Sequence, residues 1–282
     1  MRIYLYIFIS LITLLSCRKQ FSAIYAEQQG PALTNDSSLC TPNIITSRNL
    51  GAAEETYEIT YDSIRYGFAK QVKFISAPLS TNAMFLKIKL NDTVFLWNKD
   101  TVFLDRINRQ VKRMKIMPNT VSSDTLTVKL QYDSSYLAKK YIYLNGDTIP
   151  SFQSDYSYDS RQRLVKINMQ FYPDQSVIYT SEIAYDETYQ VKPWLYVFTD
   201  FFHLDTHLLG FNFGKRSQHL IKKITQTFYS SFLSNAIGIS TIEFSRYQLS
   251  KDGYVTDFSC NGPRLNSTTY FYQNVQLKYV CK

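Results

Sequence analysis

The sequence lacks an N-terminal apolar run long enough to cross a bilayer as a helix. Ile3 to Leu15 is nearly all apolar, with Ser10 and Thr13 as mild exceptions, but it is about one signal-peptide core long and falls short of roughly 30 Å of hydrocarbon. No stripe of Lys and Arg accompanies the formal net charge of +8. The densest basic patch, RINRQVKRMK at 106–115, has apolar residues between its basic ones and reads as a solvated strand face, so nucleic acid is not an expected partner. No two cysteines have the close spacing that zinc ligation needs. His203 and His207 are four apart, but Leu204, Asp205 and Thr206 between them do not make the metalloprotease pattern, and the third histidine a zinc site would need, His219, is distant in sequence. Neither a G-x-S-x-G nucleophile elbow nor a glycine-rich phosphate loop is present. These absences leave no cofactor, no metal and no catalytic residue to assign, and they favour a non-enzymatic reading.

What is present begins at the N-terminus. Arg2 supplies a minimal positive region ahead of the apolar run, and LLSC at 14–17 matches a bacterial lipobox. That chemistry needs a small residue before the cut and a thiol after it to take a diacylglycerol. The amine freed on Cys17 is usually acylated as well, and two or three chains hold a protein stably where one does not. Residues 1–16 are therefore expected to be a lipoprotein signal peptide and Cys17 the lipidated residue. Residues 17–56 are rich in Gln, Ser, Asn, Pro, Ala and Thr and read as a flexible tether, with a short ordered patch near Ile44–Ile45. Cys40, Cys260 and Cys281 remain, an odd number. A returning C-terminal strand would bring Cys260 to Cys281 in a disulfide and leave Cys40 over in the tether.

From Tyr57 the period becomes 2. YEITYD (57–62), AKQVKFI (69–75), MFLKIKL (84–90), QVKRMKI (110–116), TLTVKLQYD (125–133) and AKKYIYL (138–144) all alternate, as half-buried strands do. NGD at 145–147 is a hairpin turn in which Asn and Gly adopt positive φ. Aromatics are 16% of the chain, which suits pleated surfaces. Tyr-Asp pairs recur at strand ends: Tyr61-Asp62, Tyr132-Asp133, Tyr158-Asp159 and Tyr185-Asp186. The Tyr packs on the sheet, and the Asp accepts a hydrogen bond from a turn amide. The expected fold is mainly β, a long antiparallel sheet of successive hairpins over 57–282. It is preferred as a twisted open sheet over a closed barrel. A short irregular or helical insert at about 191–215 covers a face or an edge. A transmembrane barrel is disfavoured, because strands such as QVKRMKI carry charge at alternating sites without aromatic girdles.

The best copy of the repeat, YSYDSRQRLVKI at 156–167, resembles a group of Bacteroidetes outer-membrane lipoproteins with repeated Tyr-x-Tyr-Asp hairpins. These loosely resemble the YD repeats of large secreted toxins. YQVKPWLYVFTDFF (189–202) and SQHLIKKI (217–224) add to the likeness, which covers roughly 57–280. This chain departs from it where Gln162, not Gly, precedes Arg163. The resemblance implies a bacterial outer-membrane location, and the absence of an acidic patch after Cys17 leans towards the periplasmic face. It implies no catalytic residues.

The functional expectation is a lipid-anchored binding or scaffold module. Its anchor is membrane lipid at Cys17, and its partner is a glycan, peptidoglycan or an envelope protein. Trp97, Trp194, Tyr196 and Phe202 are the candidate ligand contacts, since sugars and peptides stack on aromatic faces; the alternative for the same residues is that they fill the core and the covering insert. The alternative is a glycan hydrolase using paired carboxylates among Asp155, Asp159, Glu182 and Asp186.

Overall fold

The computed structural model describes residues 40–48, 54–63, 68–77, 81–97, 99–117, 125–194, 198–200, 212–230, 235–262 and 274–281. The alternating segments form sixteen strands: β1 Cys40–Arg48, β2 Glu54–Ser63, β3 Phe68–Ala77, β4 Thr81–Lys89, β5 Val94–Trp97, β6 Asp100–Leu104, β7 Val111–Ile116, β8 Leu126–Asp133, β9 Tyr136–Leu144, β10 Phe152–Tyr158, β11 Leu164–Phe171, β12 Val177–Gln190, β13 His219–Tyr229, β14 Ala236–Leu249, β15 Val255–Asn261 and β16 Asn274–Cys281. Each pairs antiparallel with its sequence neighbours, and β1 pairs with β16, so the sheet is a closed barrel. At the β9–β10 turn, Asn145 and Gly146 both take positive φ, 48° and 84°, as the sequence requires.

Closure corrects the expectation of an open sheet. The closing strand lies where the sequence reads as tether. Cys40–Arg48 pairs with β2 on one side and β16 on the other, which removes both free edges. Its alternation is obscured by Pro42, beside which the register shifts. The disulfide expectation changes for the same reason. Cys260 is a buried thiol, so it does not bond Cys281. Cys40 is disulfide-bonded, and the residue opposite it across the β1–β16 seam is Cys281.

The two faces of the wall differ in chemistry. Inward residues such as Val128, Leu130, Ile142, Ile167, Met169, Ile183, Ile224, Ile242 and Phe258 form one apolar cluster. Many of the described outward residues are charged or polar: Lys112, Arg113 and Lys115 on β7, Lys129 and Gln131 on β8, Lys222 and Lys223 on β13 are all exposed, whereas Ile237 and Ile239 on β14 are exposed apolar residues. Opposite charges face each other across strands. Lys166 and Glu182 are register partners 3.6 Å apart, and Lys139 and Asp155 are partners at 3.2 Å. A lipid-facing wall needs the reverse pattern, apolar outside.

The segment between β12 and β13 enters the barrel mouth. Trp194, Phe198 and Phe213 join the apolar cluster. The backbone of the segment is pinned to three rim turns: Val111 N–H donates to Asn212 O, Lys215 N–H to Ser135 O and Lys192 N–H to Gly253 O. The insert therefore covers the inner face of the sheet, and its described residues contain no helix. An apolar lumen has to be occupied, and Trp194, fully buried, is the largest of its fully buried side chains.

Candidate functional site

The rim where even-numbered strands end is built by the recurring tyrosines. Tyr132 Oη donates to Val111 O, Tyr158 to Leu137 O, Tyr185 to Leu164 O, Tyr247 to Ile221 O and Tyr279 to Val255 O, at 2.6–3.0 Å. Each acceptor lies within the first three residues of the preceding strand. Burial pushes the Tyr158 and Tyr185 phenols well above their ordinary range. Between Tyr158 and Leu164, Asp159 does what its turn requires: its Oδ1 accepts the N–H of Arg161 and of Arg163, both at 2.9 Å, and its Oδ2 accepts Arg163 Nε at 2.7 Å. Burial by itself would raise the Asp159 carboxyl, but the Arg163 hydrogen bonds bring it below the usual range. Asp186 accepts Thr188 N–H at 2.8 Å and is also held low, first by that bond.

Inside, a polar node joins the wall to the inserted segment. Lys140 Nζ lies 2.7 Å from Asp200 Oδ2, both side chains almost inaccessible. Tyr156 Oη donates to the same carboxylate at 2.9 Å. Desolvation pushes the Lys140 ammonium below its ordinary range, against the pull of Asp200. Next to it, Gln226 Nε2 donates to Tyr179 Oη at 2.9 Å, and Tyr179 Oη donates to Thr199 Oγ1 at 2.8 Å. Every member of this network is buried, which makes its role structural.

A groove on the outer side of the same rim does face solvent. Tyr185 pairs with Ile221 and Gln190 with His219, so the residues 186–189 of β12 bulge away opposite Leu220 alone. The pairing of β14 with β15 also shifts, between Ser245 and Gln248, and Arg246 there holds φ at 54°. Between the two irregular strands lies a groove of about 720 Å³, lined by Asp186, Glu187, Tyr189, Lys222, Arg246 and Leu249 among others. Tyr189 is 56% exposed and Leu249 40%. Hydrogen bonds from Arg163 hold Glu187 in its ionised form, below the usual carboxylate range. Both signs of charge, a phenol ring and a volume suited to a small ligand meet here.

The sequence-expected contacts fare differently. Trp194 is fully buried, its ring edge-on to Tyr247 and Phe258 and its Nε1 donating to His219 O at 3.2 Å; it is core and not a ligand platform. Tyr196, Phe202 and the side chain of Trp97 lie outside the described residues, as do His203, Asp205 and His207. Among the described residues no group of His, Cys, Asp and Glu could hold a metal. The four candidate carboxylates are all engaged locally: Asp155 with Lys139, Asp159 with Arg163, Glu182 with Lys166 and Asp186 with Thr188. Asp159 and Asp186 are shifted opposite to the direction a general acid needs. Sequence reading missed Tyr189, Arg246 and Leu249. The one available signal was the Tyr-Gln following the last clear Tyr-Asp hairpin; the bulge that exposes it depends on β13.

No protein-family model and no curated protein matches the sequence. Among solved structures, the chain is similar to a porin-like protein from Bacteroides uniformis, with 15% identity and a TM-score of 0.55 over 87% of this chain and 96% of that one. A porin-like protein from Bacteroides vulgatus, also 15% identical, has a TM-score of 0.43 over 85% of this chain and 98% of that one. The first likeness is one of fold: a single antiparallel barrel spanning nearly the whole of both chains.

Proposed function

We propose that the protein is a lipid-anchored module of a bacterial outer membrane whose barrel stands in water and binds a glycan in the rim groove. The observation that carries the reading is the groove of about 720 Å³ beside Tyr189 and Arg246. A sugar ring stacks on an exposed phenol, while its hydroxyls donate to carboxylates such as Asp186 and accept from guanidinium or ammonium groups. The wall supports the aqueous setting. Charged residues point outward and apolar ones inward, so attachment to the membrane falls to acyl chains on Cys17 and not to the strands. The filled interior supports binding over conduction. The likeness to Bacteroidetes outer-membrane lipoproteins supports an outer-membrane location, and the absence of an acidic patch after Cys17 favours the periplasmic face.

Two experiments test this reading. On a glycan array, followed by calorimetry with the best hit and with peptidoglycan fragments, Tyr189→Ala and Arg246→Gly should each weaken binding about tenfold or more with the β-sheet circular dichroism unchanged; glycine suits the φ at position 246. Absence of glycan binding, or binding indifferent to both changes, removes the proposal. Cys17→Ala should abolish fatty-acid labelling and release the protein from the membrane fraction.

A further inference from the structure

We propose that the rim loops joining β4 to β5 and β6 to β7 dock on an anionic lipid surface. This inference rests on the anchoring reading above. Residues of these two turns carry large apolar side chains. Ile107 is 83% exposed and Leu90 55%, and beside them Ile88 at the end of β4 is 53% exposed. The tips are rigid. Asp105 Oδ1 accepts the N–H of Ile107 at 2.8 Å and of Asn108 at 2.9 Å, Asn91 Oδ1 accepts Thr93 N–H at 2.9 Å, and the Arg109 guanidinium donates to Asp92 O, tying one turn to the other. A presented isoleucine held by its own turn loses little conformational freedom on burial.

Basic residues surround these tips. Lys89 and Arg106 are exposed beside them, and Lys112, Arg113 and Lys115 continue up the outer face of β7. This is the basic stretch at 106–115 that the glycan reading leaves without a role. The nearby acids are engaged within the turns: Asp105 accepts from its loop amides, which lower its carboxyl, and Asp92, exposed, pairs with Lys89 at 2.7 Å, so the net positive field comes from Arg106, Lys112, Arg113 and Lys115. Apolar tips amid a basic field match the headgroup boundary of an anionic bilayer.

The attachment point agrees. β1 starts at Cys40 on this same rim, since odd-numbered strands begin there. The residues 18–39 that join it to Cys17 span up to roughly 75 Å when extended, ample for the rim to lie on the membrane. In the closed order β5 and β13 sit across the barrel from each other. A barrel dipped at Ile107 therefore tilts the Tyr189 groove away from lipid and into water.

The test uses the mature full-length protein carrying Ile107→Cys or, on the opposite rim, Ile149→Cys, each labelled with a polarity-sensitive dye. Ile149 is 62% exposed and serves as the water-facing reference. On vesicles of equal parts phosphatidylethanolamine and phosphatidylglycerol, the Ile107 dye should shift to the blue and lose acrylamide quenching several-fold, while the Ile149 dye stays as in buffer. On pure phosphatidylcholine, or in high salt, most of that protection should disappear. Equal quenching at the two sites, protection at Ile149 instead, or protection independent of lipid charge overturns the inference. The mass of the N-terminal peptide reports acylation of Cys17 separately, so a failed anchor is distinguishable from a failed docking face.

Discussion

Gly214 occupies the point where the returning inserted segment passes beneath the β8–β9 turn. Its φ is +98°, and a Cβ there would stand 2.5 Å from Ser135 O. Backbone cannot yield as a side-chain end can, so Gly214→Ala should destabilise the protein by about 1–3 kcal/mol, read as a lower midpoint in urea. Lys140 is constrained by charge. Lys140→Met removes the ammonium partner of Asp200 in a dry interior and should cost about 3–5 kcal/mol, whereas Lys140→Met with Asp200→Asn should recover most of it. A double variant no more stable than the single one would show that the pair is not what the wall and the inserted segment share. Neither residue was legible as special in the sequence. A lysine in AKKYIYL looks like any outward strand residue until the barrel decides which of the two neighbouring lysines faces in.

At the scale of the hairpin, the tyrosines and aspartates divide the work. The aspartate role was legible, because Asp159 and its acceptor-seeking amides lie within four residues of each other. The tyrosine role was only half legible. That Tyr packs at a strand end follows from position, but its hydroxyl partner lies 21 residues back for Tyr158 and Tyr185, across a strand pairing the local pattern does not name. Tyr247 and Tyr279 make the same bond without a following aspartate, so a search for Tyr-Asp passes over them. Tyr158→Phe and Tyr185→Phe should each cost about 1 kcal/mol, close to additively if the two hairpins act independently. pH gives a second check. Burial raises Tyr158, Tyr185, Tyr247 and Tyr279 above the ordinary 10.0. The folded protein then holds protons that the unfolded chain gives up, so this stability is complete below pH 10.0 and is lost as pH rises beyond it. Absorbance at 295 nm should show these phenols ionising together with loss of sheet; ionisation with the sheet intact would contradict the burial.

For the molecule as a whole, closure is the controlling feature. Cys40 is disulfide-bonded and faces Cys281 in register, so peptide mapping without reductant should recover the two in one linked species. Reduction should lower the melting temperature, since a cross-link over so long a loop restricts the unfolded chain strongly. The filled lumen makes its own prediction. With Trp194, Phe198 and Phe213 packed inside, the protein added to a planar bilayer should give no channel steps, and stepwise conductance would refute both the filled interior and the aqueous wall.

Alternation, the Asn145-Gly146 turn and the aspartate turns are decided within a few residues by pleat geometry and backbone sterics, so chain order alone carries the hairpins and their antiparallel sense. Four outcomes needed the folded molecule: that Cys40–Arg48 is a strand, that the sheet closes, that Trp194 lies inside, and that Tyr189 lies outside in a groove. Each depends on pairings between distant segments. A strand with a proline and weak alternation becomes one when β2 and β16 both offer it hydrogen bonds. An insert turns inward only when a closed wall leaves an apolar space for it to fill. Period 2 separates the two faces of a strand, but curvature over sixteen strands decides which face is enclosed and what must enter to keep it dry.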